Sequence, residues 1–362
     1  MNRIWFIRGL LLLCLIGMLC YCEFRRPIHW QLWSEFKHHY ISKEGRVVDP
    51  SSHRTTSEGQ SYGLFFALVA NDPDEFDTIL SWTQANLTES NLNDQLPAWL
   101  WGENSEKIED ILDHNSSADS DLWIAYDLIE AGRLWGNTDY QHLGEHMLDR
   151  ISKEEVAELP GLGPVVLPGK KGFTGTNTWE LNPSYTPPQL LTRFATINAT
   201  WLSVQQSNQR LLQETSPCGF APDWVVWEQN KGWQPSAKDP NLGSYDAIRV
   251  YLWVGMMAED DPSRAALVRH FQPMRDLTGE RGVPPEKTNT FTCVAQGEGG
   301  LGFSAALLPM LRQTKALPVQ EARLKGPLKA DAYYNSVLRL FGEGWNGNKF
   351  RFNTQGQLVP AW

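Results

Sequence analysis

The stretch Thr55-Thr56-Ser57-Glu58-Gly59-Gln60-Ser61-Tyr62-Gly63 decides the fold, because it carries an acidic residue into the start of an apolar helix pattern. Apolar residues recur at the i, i+3, i+4, i+7 spacing of one buried helix face, at Tyr62, Phe65, Phe66 and Val69. The spacing predicts a helix from Tyr62 onward, with Glu58 just before it. A carboxyl group fixed beside aromatic side chains is partly desolvated, which raises its pKa and suits it to general acid catalysis. The alternative is that Ser57 or Thr56 caps the helix and Glu58 only favours its positive N-terminus.

The composition predicts a large folded core and argues against nucleic acid as a partner. The 362 residues are 41% hydrophobic and include 29 glycines and 22 prolines, which is typical of a globular chain and not of a disordered one. The 16 tryptophans are more than a core of this size needs, which indicates a ligand that stacks on indole rings. The formal net charge is -10, so a polyanionic partner is disfavoured.

The N-terminus has the pattern of an export signal. Arg3 and Arg8 precede an uncharged apolar run over residues 9–21, which is too short for a comfortable membrane span. We therefore divide the chain into a signal peptide or N-terminal anchor over residues 1–22 and a single domain over residues 23–362. Export would place the protein in the periplasm or outside the cell, and only an uncleaved leader would bring it into contact with a membrane.

Two cysteines, Cys218 and Cys293, lie clearly beyond the leader. In an oxidising compartment they could form a disulfide, and a buried free thiol is an equal alternative. The sequence has no C-x-x-C motif, so the cysteines give no metal or redox signal.

Most of the chain after the leader has helical periodicity. Amphipathic segments follow one another at short intervals and predict about eleven helices, one of which starts at Asp72-Pro73-Asp74. Strand-like alternation is confined to short pieces such as Trp224–Trp227 and Phe350–Phe352, which predict small β-hairpins. No linker divides the chain, so it predicts an all-α domain of helical hairpins closed into a ring.

A second group of acidic residues precedes a helix that starts near Leu122. Asp119 and Asp121 are two positions apart at the helix entry, and only one of them is needed as a cap. Asp121 is adjacent to the first apolar residue, so we predict that it caps the helix. Asp119 then either faces solvent or points into a cleft.

A third acidic residue, Asp246, has an arginine one helical turn away at Arg249, so the two side chains can face each other. An arginine at this distance would keep the aspartate ionised, which a general base requires. The alternative is an ordinary surface ion pair, which contributes little.

The acidic residues and the tryptophans together match the requirements of a glycosidase. Sugar rings stack their C–H faces on indole, while a carboxylic acid protonates the leaving oxygen and a carboxylate activates water or attacks directly. The tryptophans that could form such a binding surface are Trp99, Trp101, Trp224, Trp227 and Trp233. Acid–base hydrolysis needs two carboxyl groups and water, so we expect no cofactor and no metal.

Four separated motifs resemble glycoside hydrolase family 8, and they occur in order over nearly the whole chain after the leader. They are Ser57-Glu58-Gly59-Gln60-Ser61-Tyr62-Gly63, Asp119-Ser120-Asp121-Leu122-Trp123-Ile124-Ala125, Phe220-Ala221-Pro222-Asp223-Trp224 and Ser244-Tyr245-Asp246-Ala247-Ile248-Arg249. The resemblance extends to the endoglucanases of this family that accompany bacterial cellulose synthase. In one place the chain departs from the family pattern Ala-Ser/Thr-Asp-Gly/Ala-Asp, since it reads Ser117-Ala118-Asp119-Ser120-Asp121.

The resemblance implies an (α/α)6 barrel and inverting hydrolysis of β-1,4-glucan, with the cellulose synthase complex as a partner. It implies that Glu58 is the general acid and Asp246 the general base, and that Asp119, Tyr245 and Arg249 contact the substrate beside them. An inverting enzyme leaves room for water, so the two catalytic carboxyl groups are expected roughly 6.5–9.5 Å apart. The alternative substrates within the family are xylan, chitosan and mixed-linkage glucan.

Three other interpretations compete with a glycosidase. His142-Leu143-Gly144-Glu145-His146 fits the H-x-x-E-H zinc motif, although Leu143 already belongs to an apolar helix face. Gly297-Glu298-Gly299-Gly300-Leu301-Gly302 fits G-x-G-x-x-G, but no βαβ alternation surrounds it, and a loop over the substrate groove is a better use of these glycines. A catalytically silent carbohydrate-binding protein would use the same tryptophans, and it would release no reducing ends from a polysaccharide.

Overall fold

A computed structural model describes residues 27–89 and 91–362 of the protein; the predicted leader over residues 1–22 lies outside these ranges. The described residues contain 13 α-helices and a set of short antiparallel strands, which confirms the all-α prediction. Two helices were missed from the sequence, at Gln272–Arg281 and Leu317–Arg323.

The helices are α1 (Gln31–Tyr40), α2 (Ser57–Val69), α3 (Pro73–Leu87), α4 (Ala118–Trp135), α5 (Thr138–Glu154), α6 (Pro188–Ala195), α7 (Thr200–Glu214), α8 (Ala247–Met256), α9 (Arg264–His270), α10 (Gln272–Arg281), α11 (Leu301–Leu311), α12 (Leu317–Arg323) and α13 (Tyr333–Asn346). The strands are β1 (Thr55–Thr56), β2 (Leu100–Glu103), β3 (Glu109–Asp113), β4 (Val156–Leu159), β5 (Gly163–Val166), β6 (Thr174–Gly175), β7 (Thr178–Leu181), β8 (Val225–Glu228), β9 (Gly232–Pro235), β10 (Leu242–Gly243), β11 (Lys287–Asn289), β12 (Ala295–Gln296), β13 (Phe350–Phe352) and β14 (Leu358–Pro360).

Six helices form an inner ring, namely α2, α4, α6, α8, α11 and α13. Each contacts the next one in chain order. The ring closes where Phe341 of α13 packs against Phe65 and Phe66 of α2, with ring centroids 5.3 and 4.7 Å apart. A second helix packs on the outside of each inner helix: α3 on α2, α5 on α4, α7 on α6, α9 on α8, α12 on α11 and α1 on α13. This arrangement is the predicted (α/α)6 barrel.

Burial differs between the two layers in the way their sequences require. Every residue of α8 is buried, as expected for a helix that is apolar on all sides and lies in the middle of a barrel. In α5 only Gly144, Met147, Leu148 and Ile151 are buried, which is the single apolar stripe of an outer helix.

The helix α2 begins at Ser57 and not at Tyr62, so the predicted start was too late. Thr56 caps it, since the Thr56 hydroxyl accepts a hydrogen bond from the Gly59 amide at 3.1 Å. Glu58 therefore lies inside the first turn, and it is the one residue of α2 that is not buried. The predicted start of α3 is confirmed, because Asp72 caps that helix and Pro73 occupies its first position.

A small sheet holds the start of α2 beside the start of α4. Strand β1 pairs with β2 and β2 with β3, all antiparallel. Between β1 and β3, Trp99 accepts a hydrogen bond from the Ser57 amide at 3.0 Å through its carbonyl and donates its own amide to the Asn115 carbonyl at 2.8 Å. Both helix entries that carry acidic residues are thus fixed to one backbone segment.

The predicted β-hairpins are present, with neighbours that the sequence did not reveal. Strand β8 overlaps the predicted Trp224–Trp227 piece and lies in a four-stranded sheet of order β6-β7-β8-β9. Strand β13 coincides with the predicted Phe350–Phe352 and pairs with β14. Cys218 and Cys293 form a disulfide, which decides between the two alternatives left open above.

Most of the tryptophan surplus belongs to the core and not to a binding surface. Nine indole side chains are buried: Trp30, Trp33, Trp82, Trp101, Trp123, Trp201, Trp227, Trp253 and Trp345.

Within residues 27–89 and 91–362, no helix combines the length and apolar character required to cross a membrane.

Candidate active site

Three acidic side chains meet at one buried arginine, Arg249 of α8. Its guanidinium donates to Glu58 through Nη1 and to Asp246 Oδ1 through Nη2, the latter at 2.7 Å. Asp119 Oδ2 lies 3.5 Å from Nη1, and the Tyr62 hydroxyl lies 3.3 Å from the same nitrogen. The fold therefore brings together the acidic residues predicted from three separate parts of the sequence. The predicted facing of Asp246 and Arg249 is confirmed.

The acidic residues differ in their access to solvent. The side chains of Arg249 and Asp119 are each 4% exposed, whereas those of Glu58 and Asp246 are 27% and 30% exposed. The arginine and Asp119 thus form the floor of the site, and the two outer carboxyl groups remain accessible from solvent. A ligand can reach Glu58 and Asp246 without displacing the core.

Asp246 is placed by an acidic residue that the sequence analysis did not single out. Asp223 Oδ1 accepts hydrogen bonds from the amides of Ser244, Asp246 and Ala247 at 2.8, 3.1 and 2.7 Å. These donors are the free amides at the entry of α8, so Asp223 caps this helix from another part of the chain. Burial raises the pKa of Asp223 to about 6, while the three amide bonds oppose that shift. The only sequence signal was its place in the Phe220–Trp224 motif.

Asp119 is held by hydroxyl and amide donors at the start of α4. Its Oδ1 accepts from the Ser117 hydroxyl at 2.7 Å and from the Ser120 amide at 2.8 Å. The Ser120 hydroxyl donates to the Ser117 carbonyl and lies 2.6 Å from the Ser57 hydroxyl of α2. The departure from the family pattern therefore leaves Asp119 fixed, because Ser117 supplies a direct hydrogen bond to it.

Asp121 does not cap α4, which corrects the prediction. The side chain is fully buried and shares a hydrogen bond with Glu155, which is also fully buried. Glu155 in turn accepts from the Ser116 hydroxyl. Burial, followed by the charge of Glu155, raises the pKa of Asp121 well above its usual range, so this pair retains a proton at neutral pH. The partner is far away in sequence, which is why the local pattern indicated a cap.

The electrostatics of the site favour a protonated Glu58. Burial raises the pKa of Glu58 to about 7, the Arg249 charge opposes this shift, and Asp119 adds to it through its charge and a hydrogen bond. Near neutral pH a large fraction of Glu58 therefore carries a proton that it can donate. Arg249 also binds Asp246 directly. One acid and one base thus sit on the same guanidinium.

A sequence profile of glycosyl hydrolases family 8 matches residues 12–348 of this chain. The chain belongs to glycoside hydrolase family 8. It is 52% identical to an endoglucanase of Escherichia coli O157:H7 over 336 residues, which covers 92% of this chain and 91% of that protein. It is 45% identical to an endoglucanase of Xanthomonas axonopodis pv. citri (strain 306) over 344 residues, 92% of this chain and 89% of that protein.

Solved structures agree with the family assignment. The endo-1,4-D-glucanase from Vibrio fischeri ES114 superimposes with a TM-score of 0.88 at 46% identity, covering 92% of this chain and 99% of that one. The family assignment makes the protein a glycoside hydrolase, as the acidic residues and the barrel indicated. The candidate family 8 site lies at the end of the barrel where α2, α4 and α8 begin.

Tyr245 of the family 8 site is exposed and is fixed on both sides. Its hydroxyl donates to Glu286 Oε1 at 3.0 Å, and its carbonyl accepts from the Tyr334 hydroxyl. The ring of Phe303 packs edge-on against it, with centroids 5.2 Å apart. More than half of the Tyr245 side chain remains open to solvent beside Asp246, so it can contact a ligand there.

The predicted tryptophans fall into two groups. Trp99 and Trp224 are half-buried, and Trp224 lies next to Tyr185, whose ring is 5.8 Å from the Arg249 guanidinium carbon. Trp101 is only 7% exposed, and its ring contacts Trp82 and the Arg46 guanidinium. Packing therefore covers much of the Trp101 indole, and its contact with substrate stays a prediction.

Tyr62, Tyr185 and Tyr334 complete the site and were not predicted as site residues. Tyr62 approaches Arg249 through its hydroxyl, and Tyr334 supports the backbone of Tyr245. Burial raises the pKa of all three hydroxyl groups well above the usual range, so they act as neutral hydrogen-bonding groups. Tyr62 and Tyr334 lie on inner helices, where a tyrosine looks like a core residue in a sequence, and Tyr185 lies in the segment between β7 and α6, so no local signal marked them.

The two competing motifs lie in different places, since the histidines are on an outer helix and the glycine-rich loop is beside Glu286, the partner of Tyr245. His142 and His146 are exposed on the outer helix α5. Among the described residues, no group of three histidine, cysteine, aspartate or glutamate side chains is placed to hold a metal ion. The Gly297–Gly302 loop follows the two-residue strand β12, and a Cβ at Gly297 would meet Glu286 at 2.8 Å. That loop packs against the residue that binds Tyr245.

Proposed function

We propose that the protein is an endo-acting, inverting hydrolase of β-1,4-glucan. The observation that carries this proposal is that Arg249 contacts both Glu58 and Asp246 while these two carboxyl groups stay open to solvent. The endoglucanases to which the chain is similar support β-1,4-glucan as the substrate.

In this proposal Glu58 is the general acid. Its raised pKa allows it to donate a proton to the glycosidic oxygen as the bond to the anomeric carbon breaks. Asp246 accepts a proton from a water molecule that attacks the anomeric carbon from the opposite face of the sugar. The products are two shorter glucans, Glu58 is left ionised and Asp246 protonated, and proton exchange with solvent restores both.

The remaining residues of the site position the two acidic residues and the sugar, and they stabilise the charge that develops during the reaction. Arg249 binds both carboxyl groups and supplies positive charge between them. Asp119, held by Ser117 and Ser120, is placed to accept a hydrogen bond from a sugar hydroxyl or to stabilise positive charge at the anomeric carbon. The half-buried Trp99 offers ring surface for a neighbouring sugar, and Trp224 is a second candidate contact, although its ring already packs against Phe173 and the Lys238 ammonium.

The proposal includes the cellular setting. We infer that residues 1–22 direct export to the periplasm or cell exterior and that the enzyme trims glucan during bacterial cellulose synthesis, alongside the cellulose synthase complex. The basic start and short apolar run support export. Mass spectrometry of the N-terminus recovered from the periplasmic fraction tests this: a chain that begins after residue 22 is expected, and a cytoplasmic full-length chain contradicts it.

The catalytic assignment is tested with Glu58→Gln, measured by reducing-end release from carboxymethylcellulose. We expect turnover to fall by about 10²- to 10⁴-fold because the amide cannot protonate the leaving oxygen. Binding of cellooligosaccharides should persist, since the amide has nearly the same shape. Glu145→Gln is the matched control, and it also removes the glutamate of the H-x-x-E-H motif without affecting a glycosidase.

A substrate panel separates the alternatives. Carboxymethylcellulose, xylan, chitosan and mixed-linkage glucan are compared under the same conditions, and β-1,4-glucan should have the highest kcat/KM. A preference for another glycan would contradict β-1,4-glucan as the substrate. If no polysaccharide of the panel releases reducing ends, the protein is a catalytically silent carbohydrate-binding protein. A Glu58→Gln variant with ordinary turnover contradicts the assignment of the acid.

A further inference from the structure

Tyr245 presents its ring to solvent immediately before the proposed base, yet the ring is not free to move. The residue is 53% exposed. Its hydroxyl donates to Glu286 Oε1 at 3.0 Å, and the rings of Phe303 and Tyr334 lie beside it with centroids 5.2 and 6.1 Å away. An exposed side chain that is held at its far end and along its edge is already ordered when a ligand arrives.

Glu286, which receives the Tyr245 hydroxyl, stands on a fixed piece of backbone. It directly precedes β11, which pairs with β10 on one side and β12 on the other. The Glu286 amide donates to the Gln296 carbonyl at 3.1 Å, and the Glu286 carbonyl accepts from the Ser244 hydroxyl at 2.8 Å. Its carboxyl group therefore reaches Tyr245 from a backbone that is itself tied to the entry of α8.

The glycine-rich loop leaves room for both groups that hold Tyr245. A Cβ atom at Gly297 would lie 2.8 Å from Glu286 Oε2, and the backbone there has a φ of +68°, which favours glycine. A Cβ atom at Gly299 would lie 2.8 Å from the ring of Phe303. A side chain at either position would push Glu286 or Phe303 away from Tyr245. Two glycines of the G-x-G-x-x-G pattern thus have a use at this site.

The Tyr245 ring and the proposed base are supported by different side chains. Asp246 is held by the Arg249 guanidinium, and its amide donates to Asp223. The Glu286 carboxyl group binds the Tyr245 hydroxyl, and its link to Ser244 uses the backbone carbonyl. Removing the Glu286 carboxyl group therefore frees the ring and leaves these contacts of Asp246 in place.

We propose that Glu286 is a positioning residue whose carboxylate fixes the Tyr245 ring against Phe303, and that the glycine-rich loop keeps this arrangement in place. The inference rests on the proposed β-1,4-glucan hydrolysis, because the ring is arranged for a glucan that lies across Glu58 and Asp246. Ordering the ring in advance removes an entropic cost from substrate binding. Glu286 acts through Tyr245 and not on the reacting atoms.

The test measures kcat and KM of Glu286 variants on one soluble cellooligosaccharide. We expect Glu286→Ala to raise KM by roughly 3- to 10-fold, because the ligand must then order the ring itself. Its kcat should stay within about two-fold of the wild type, since the same binding is lost in the ground state and the transition state. Glu286→Gln should stay near the wild type, because its amide oxygen can accept the Tyr245 hydroxyl.

Glu298→Ala is the matched control, because it removes an exposed glutamate from the same loop. It should match the wild type in both constants. Urea unfolding shows whether each variant is folded under the assay conditions. Glu286→Asp keeps the charge but shortens the side chain by one methylene, so it should also raise KM, and it replaces Glu286→Ala if that variant does not fold.

A double-mutant cycle identifies the residue through which Glu286 acts. Tyr245→Phe removes the hydroxyl and should raise KM to a similar extent as Glu286→Ala. Adding Glu286→Ala to Tyr245→Phe should change KM by less than about two-fold, because the interaction is already lost. A Glu286→Ala enzyme with the wild-type KM, a lower kcat at unchanged KM, or effects of the two substitutions that multiply would each overturn the proposal.

Binding without turnover separates this role from the proposed function. Calorimetry of the same oligomer with Glu58→Gln should show weaker affinity once Glu286→Ala is added, by the factor seen in KM. Equal affinity of the two proteins contradicts the role of Glu286. A wild type that releases no reducing ends from β-1,4-glucan refutes the proposed function instead.

Discussion

Arg249 contacts three acidic side chains of the site, and it does so from a buried position. The guanidinium is nearly inaccessible to solvent, yet it lies between three carboxyl groups. A buried cation next to several acids is retained when each neighbour supplies charge or a hydrogen bond. The planar fork of an arginine can address Glu58 and Asp246 through different nitrogens, and a lysine ammonium cannot hold both in the same way.

Replacing this arginine separates charge from geometry. Arg249→Met removes the charge that opposes the upward shift of the Glu58 pKa, so the basic limb of the kcat/KM profile should move from about 7 to higher pH by roughly one unit or more. Arg249→Lys keeps a positive charge, so its limb should stay near the wild-type position while turnover falls about 10- to 100-fold. The sign follows from the acid: activity requires protonated Glu58 and is lost as pH rises through its pKa. If the basic limbs of Arg249→Met and Arg249→Lys fall at the same pH, the Arg249 charge does not set the pKa of Glu58.

At the scale of elements, the entry of α8 shows how a helix terminus can be built from a remote residue. Asp223 satisfies three amides that would otherwise lack partners, and one of them belongs to Asp246. The position of the proposed base therefore depends on the loop before β8 as well as on its own helix. The Tyr334 hydroxyl adds a second support through the Tyr245 carbonyl.

Asp223→Ala should lower both stability and turnover. Three buried amides lose their acceptor, so we expect the free energy of unfolding to fall by about 1–3 kcal/mol. Displacement of Asp246 should lower kcat by roughly 10-fold or more with a smaller change in KM. Asp223→Asn keeps an acceptor oxygen and should fall between Asp223→Ala and the wild type. Urea denaturation and steady-state kinetics measure the two effects, and a stable Asp223→Ala enzyme with normal kcat would argue against this role.

The elements that were predicted correctly are those with a complete local signal. The start of α3 has its cap, its proline and its apolar face within a few residues, and Asp246 and Arg249 face each other because one helical turn separates them. The errors come from contacts between distant parts of the chain. Asp121 looked like a cap because its partner Glu155 lies on another element, and Trp101 looked free because its packing partners Trp82 and Arg46 are not its neighbours.

Short strands were the other feature that the sequence did not predict, for a related reason. Strands β1, β6, β10 and β12 have two residues each, so alternation cannot appear in them. Their pairing nevertheless fixes important positions, since β1 and β2 hold the start of α2 beside Trp99. Glu58 could be selected from the sequence, whereas Tyr62 and Tyr334 became site residues only when α2, α8 and α13 met.

At the scale of the whole molecule, buried carboxyl groups lower the stability of the barrel at alkaline pH. The pKa values of Asp121 and Glu155 are raised above their usual range, the latter to about 7, chiefly by burial. An acid whose pKa is raised in the folded state stabilises the fold below its unfolded pKa, and this contribution disappears as pH rises through the folded pKa. This contribution should therefore be lost as pH rises from the usual carboxyl range to about 7, the folded pKa of Glu155.

Asp121→Asn tests this contribution to stability. The amide can still donate to Glu155, but it does not ionise, so the variant should gain stability relative to the wild type as pH rises, by on the order of 1–3 kcal/mol between pH 5 and 9. Urea unfolding at several pH values measures the difference. Asp260→Asn, at an exposed aspartate, should show no such trend. A difference between Asp121→Asn and wild type that stays constant with pH would contradict a buried proton-sharing pair.

The barrel as a whole brings Glu58, from the first turn of α2, and Asp246, from the entry of α8, to one arginine. We propose that these two groups act from opposite sides of one glycosidic linkage. The anomeric configuration of the first product tests that claim most directly. A soluble cellooligosaccharide is hydrolysed in an NMR tube, and the anomeric protons are recorded before mutarotation. We expect the new reducing end to appear as the α anomer, because water attacks from the face opposite the β-linkage. An initial β anomer would mean a covalent intermediate and a closely spaced nucleophile, and it would contradict the roles assigned here to Glu58 and Asp246.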